Sequence, residues 1–87
     1  MSIITKQIAL IERIDQLIRM QATGCYEELA GRLGISQAKL YRTLDIMKSL
    51  NAPIVYDFTV KSFVYDEEVK FQFGFYVRDL NGQELRG

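Results

Sequence analysis

Apolar residues recur at three- and four-residue spacing along the first part of the chain: Ile3, Ile4, Ile8, Leu10, Ile11, Ile14, Leu17 and Ile18, with no Gly or Pro between them. That spacing predicts a helix from Ile3 to Met20. At about 100° per residue these positions cover an arc of roughly 180°, wider than the stripe of about 100° that docks a surface helix on one core. Either the helix wraps into its own core, or one flank, marked by Ile3, Leu10, Ile14 and Leu17, meets a second copy of the chain.

Thr23-Gly24-Cys25 interrupts the pattern, and Tyr26 to Leu33 then reads as a short helix with Glu27 and Glu28 in its first turn, where the helix dipole favours anions. Gly34 stops it, supplying the positive φ that a helix-ending turn requires. Ser36 is a good N-cap for a third helix over residues 37–50, in which Leu40, Leu44, Met47 and Leu50 form one apolar stripe. The opposite face holds Ala38, Tyr41, Arg42, Asp45, Lys48 and Ser49, and Asn51-Ala52-Pro53 ends the helix.

Beyond Pro53 the texture becomes β-branched and aromatic. Ile54-Val55-Tyr56, Phe63-Val64-Tyr65 and the run from Val69 to Val77 are expected as strands, with residues 57–62 joining the first two as a hairpin loop. In the third run Val69, Phe71, Phe73 and Phe75 share one face. An apolar strand at a sheet edge invites association unless it is covered, so Phe71, Phe73 and Phe75 join the α-helical flank as expected dimer contacts. The polar stretch 79–87 contains the turn signal Asn81-Gly82 and is expected to fray, leaving residues 1–78 as the folded domain.

The fold class is therefore α+β, three helices followed by a hairpin and an additional strand. With 87 residues, 48% hydrophobic and 25% charged, the chain suits one small globular domain. Histidine is absent and Cys25 is the lone cysteine, which excludes internal disulfides, histidine metal sites and histidine-based catalytic triads. Lys6, Gln7, Glu12, Arg13 and Asp15 break up the N-terminal apolar residues, unlike a signal peptide or membrane span. A reducing, cytoplasmic setting is expected.

Eleven basic and eleven acidic residues cancel overall, yet they are segregated along the chain. Residues 36–50 hold Lys39, Arg42 and Lys48 against Asp45, a local +2; residues 51–68 hold Lys61 against Asp57, Asp66, Glu67 and Glu68, a local −3.

Glu27-Glu28-Leu29-Ala30, Arg32-Leu33-Gly34-Ile35-Ser36 and Leu40-Tyr41-Arg42 together resemble the winged helix-turn-helix family of bacterial transcriptional regulators. Ala52-Pro53-Ile54-Val55-Tyr56-Asp57 is similar to that family's exit from the third helix into the wing. Lys70-Phe71-Gln72-Phe73-Gly74-Phe75 resembles small stand-alone members without a ligand domain. The resemblance implies double-stranded DNA as partner, a homodimer, no cofactor, and a third helix lying in the major groove.

The expected DNA-facing residues are Ser36, Gln37, Ala38, Lys39, Tyr41, Arg42, Lys48 and Lys61. Gln37 can bond adenine edges, Arg42 a guanine or a phosphate, and Ala38 can touch a thymine methyl. Tyr41 can donate to a phosphate or sit half in the core, while Lys39 and Lys48 suit backbone contacts. Ser36 opens the helix end whose free amides can meet a phosphate. The plain alternative is a solvated helix face.

The hairpin departs from the family's basic wing tip, offering only Lys61 beside Asp57 and followed by Asp66-Glu67-Glu68. This acidity and the zero net charge favour a rival function, a protein-interaction module without DNA affinity. Glu27/Glu28 and Glu67/Glu68 are sequence neighbours whose side chains diverge, and no phosphate loop, nucleophile elbow or metal-ligand spacing is present. No enzymatic activity and no small-molecule ligand are expected.

Overall fold

The computed structural model describes residues 3–70 together with Val77–Arg78 and Glu84–Leu85. Three helices, α1 (Ile3–Arg19), α2 (Tyr26–Leu33) and α3 (Gln37–Ser49), precede an antiparallel hairpin of β1 (Ile54–Asp57) and β2 (Ser62–Tyr65). The hairpin register sets Ile54 opposite Tyr65, Val55 opposite Val64, Tyr56 opposite Phe63 and Asp57 opposite Ser62. A separate two-residue ladder pairs β3 (Val77–Arg78) with β4 (Glu84–Leu85), so the polar stretch beyond residue 78 contributes a strand. Val69 and Lys70, expected to open a third long strand, are not in one. Phe71, Phe73 and Phe75 lie outside the described residues, as does the side chain of Ile3. Among the described residues no helix is long and apolar enough to cross a membrane.

All three helices end in the same way because each must satisfy its last carbonyls while reversing the chain. Ala22 N–H reaches Leu17 O at 2.9 Å, Ile35 N–H reaches Ala30 O at 3.1 Å, and Ala52 N–H reaches Met47 O at 3.0 Å. The residue before each of these donors, Gln21, Gly34 or Asn51, has a positive φ of 52°, 67° or 73°. Glycine and asparagine adopt that conformation readily, whereas glutamine does so at a cost of about 1 kcal/mol.

The helix starts are equally local. Glu28 reaches back to accept from Cys25 N–H at 3.0 Å, and the Ser36 hydroxyl accepts from Lys39 N–H at 3.1 Å. A Cβ at Gly24, also at positive φ, would lie 2.9 Å from the Glu28 side chain, so glycine there leaves room for the cap.

One core unites the helices with β1: Ile11, Ile14 and Ile18, then Leu29 and Ala30, then Leu40, Leu44 and Met47, and finally Ile54. Ile14 is fully buried in its own chain and has no surface left for a second copy. Leu10 and Leu17 are half-buried and pack against the same core, so the wide apolar arc of α1 mostly serves its own domain. Leu50 is 60% exposed, because α3 ends at Ser49 and the reversal turns Leu50 away from the stripe. Thr43 occupies the buried face instead, its hydroxyl donating to Lys39 O at 2.8 Å.

Two polar clusters fasten the hairpin. Tyr65 of β2 donates to Asp15 of α1 at 2.6 Å, and Asp15 also takes Arg19 at 3.1 Å. Arg19 then lies over the Tyr65 ring and donates to Val69 O. Burial, then the hydrogen bond to Asp15, pushes the Tyr65 hydroxyl well above its ordinary range.

The second cluster is fully buried. Thr23 N–H donates to Ser62 Oγ at 3.2 Å, Phe63 N–H donates to Thr23 Oγ1 at 2.8 Å, and the two hydroxyl oxygens lie 2.9 Å apart. One hydroxyl proton bridges the oxygens, and the other goes to a neighbouring carbonyl, Gly24 O or Phe63 O. Thr23→Val removes the acceptor for Phe63 N–H and is expected to lower stability by about 2 kcal/mol, with Ser62→Ala costing somewhat less. Because each variant disables the same network, the double variant should fall short of additivity by about 1 kcal/mol in chemical denaturation; additive losses would mean the hydroxyls act separately.

Candidate nucleic-acid interface

The sharp turn from Gly34 through Ser36 sets α2 against α3 and leaves one long face of α3 open. Gln37, Ala38, Lys39, Tyr41, Arg42, Asp45, Lys48 and Ser49 are all exposed on it, with Ile46 beside them. Gln37 to Lys48 spans roughly 16 Å of helix at 1.5 Å per residue. Among the described residues Lys39, Arg42 and Lys48 make no side-chain ion pair, so their charges face solvent. Ser36 is also exposed, but its hydroxyl is committed to the cap. Tyr41, which the sequence could place either outside or half in the core, is 64% exposed.

The structure joins this face to the hairpin through a row of aromatic rings. Tyr41 lies 5.4 Å from Tyr26 between ring centroids, Tyr26 lies 5.9 Å from Phe63, Phe63 lies 5.1 Å from Tyr56, and Tyr56 lies 5.0 Å from Phe58. The last three contacts are edge-to-face, the geometry that the quadrupoles of aromatic rings favour. The sequence singled out only Tyr41 of these five for the interface. The alternation of Tyr56 with Phe58 across the β1 end was a legible hint, but the Tyr26 link depends on how α2 crosses α3 and left no local trace.

The loop Phe58–Lys61 is shaped by Asp57, whose carboxylate accepts from Thr59 N–H at 2.7 Å and Val60 N–H at 3.4 Å. Lys61 completes the turn at a φ of 54° and is exposed. Glu28 is held below its usual carboxyl range first by Cys25 N–H and the Cys25 thiol, and further by Arg32 and Lys61. Phe58, at the tip, is 83% exposed, with Val55 and Val60 also open to solvent.

A cleft of about 290 Å³ opens between Ile11, Met47, Leu50, Tyr65 and Val69, with Lys70 at its edge; none of the DNA-facing candidates lines it.

Tyr26 is held between Tyr41 and Phe63, and its buried hydroxyl oxygen has no hydrogen-bond partner among the described residues. Burial, then the nearby Tyr41 and Asp45, raises its ionisation above the ordinary range. Since the ring supplies the packing and the hydroxyl is unpaired, Tyr26→Phe is expected to leave stability unchanged or raise it by up to about 1 kcal/mol. A loss of that size in thermal unfolding would mean that the hydroxyl is bonded after all. Compared with family models, curated proteins and solved structures, the chain matches none.

Proposed function

We propose that the chain is a winged helix-turn-helix protein that binds double-stranded DNA and regulates transcription, with α3 in the major groove and the β1–β2 hairpin as the wing. The observation that carries this is the open face of α3, where Lys39, Arg42 and Lys48 have no ion-pair partner among the described residues and stand beside Gln37 and Ala38. A guanidinium and an amide in the first turns can address base edges, while the ammonium groups meet phosphates and fix register. Asp45 on the same face can accept from a cytosine amino group. The chemistry is binding without catalysis and needs no cofactor, and a cytoplasmic location fits the free thiol of Cys25.

One short helix and one hairpin reach few phosphates, so useful affinity calls for two copies on paired half-sites. Ile4 near the start of α1 and Met20 just past its end are both largely exposed and offer apolar surface for such pairing.

A second reading, a protein-interaction module, is favoured by the apolar hairpin tip and the acidic run Asp66-Glu67-Glu68. Salt separates the two. Three or four phosphate contacts per chain give a log–log slope of about −3 against salt concentration for one copy and about −6 for a pair on two half-sites, because bound cations are released from the duplex. Binding of the pair to fluorescently labelled duplex DNA is expected to weaken with the steeper slope, and Arg42→Glu to weaken it by at least about tenfold with the melting temperature unchanged. Absence of duplex binding at low salt would overturn the DNA reading.

A further inference from the structure

We propose that Phe58 acts as a wedge, entering between stacked bases of the duplex bound by α3 and bending it; this rests on the DNA-binding reading above. A single exposed apolar residue is ordinary on a protein surface. Phe58 differs in three respects.

It stands at the extremity of a hairpin, 83% exposed, and its ring is held edge-on by Tyr56 at 5.0 Å. That brace limits the motion that would otherwise have to be frozen on binding. The tip is also uncharged. Phe58, Thr59 and Val60 carry no charge, and the Asp57 carboxylate is turned into the loop by the amides of Thr59 and Val60, so no acid is presented at the point of contact.

The third feature is continuity. Four ring-to-ring steps of 5.0–5.9 Å lead from Tyr41 on the face of α3 to Phe58. Even laid end to end they fall within one turn of B-form duplex, about 34 Å, so the tip and the helix reach the same stretch of DNA. A hairpin whose loop carries Lys61 as its cation and Asp57 as its acid cannot hold phosphates strongly. An aromatic side chain needs no cation to unstack a base step: it replaces base–base contact with base–ring contact and kinks the duplex. Pyrimidine–purine steps unstack most easily, so they are the expected point of insertion.

The probe is a short duplex carrying 2-aminopurine in place of adenine at a TA step, with donor and acceptor dyes at its ends. Binding of the native chain is expected to raise 2-aminopurine fluorescence and shorten the end-to-end distance. Phe58→Ala should abolish both signals and weaken binding about tenfold while the salt slope stays the same, because no phosphate contact is lost. Phe58→Leu, which keeps an apolar wedge, should retain most of the bend.

If Arg42→Glu abolishes binding while Phe58→Ala leaves fluorescence, bend and affinity unchanged, the wedge is wrong and the DNA reading stands. If Phe58→Ala changes only the size of the free protein, the tip is a contact between copies and the wedge is likewise wrong. If the native chain binds no duplex, both fall together.

Discussion

Two hydroxyl groups, Thr23 in the turn after α1 and Ser62 at the start of β2, hold together parts of the chain that are 39 residues apart. Both are fully buried, and each accepts a backbone N–H from the other's segment. In a low-dielectric interior neither amide can be left without a partner, so the hairpin has one place to sit. That placement brings Phe63 against Tyr26, and through Tyr26 the hairpin meets α3 at Tyr41. The relation between helix face and hairpin tip therefore depends on a pair of small polar side chains more than on the apolar core beneath them.

The core does a different task. Among the described residues its nine buried apolar residues come from all three helices and β1, which fixes the helices relative to one another but leaves the far end of the hairpin unconstrained. Asp15, Arg19 and Tyr65 secure the base of β2 to α1, while Thr23 and Ser62 secure the end near the loop. With both ends held, the four residues of the tip can present an aromatic side chain in a defined direction.

Much of this architecture was legible because it rests on local chemistry. The three helices follow from periodicity, the α2–α3 turn from Gly34 and Ser36, and the hairpin from the change to β-branched and aromatic residues after Pro53. The open face of α3 was legible too, since its polar positions follow from the apolar stripe opposite. What escaped was tertiary. Ile14 looked available for a second copy because periodicity reports an apolar arc without saying how much of it one small domain can cover. Leu50 continued the stripe by spacing, yet the helix reverses at that residue, and the smaller Thr43 fills the buried position. Thr23 and Ser62 carry no signal in sequence, because a Thr or Ser in a loop is ordinary until a distant partner is known. The aromatic row is hidden for the same reason, its members being spread from residue 26 to residue 63.

The most direct test of the account is a map of backbone amide chemical shifts in the free protein and during titration with duplex DNA. Shifts concentrated at residues 36–48 and at the hairpin tip around Phe58, with the cleft between Ile11, Met47 and Val69 unaffected, are what the account requires. Shifts centred on that cleft or along α1, with the α3 face silent, would contradict it.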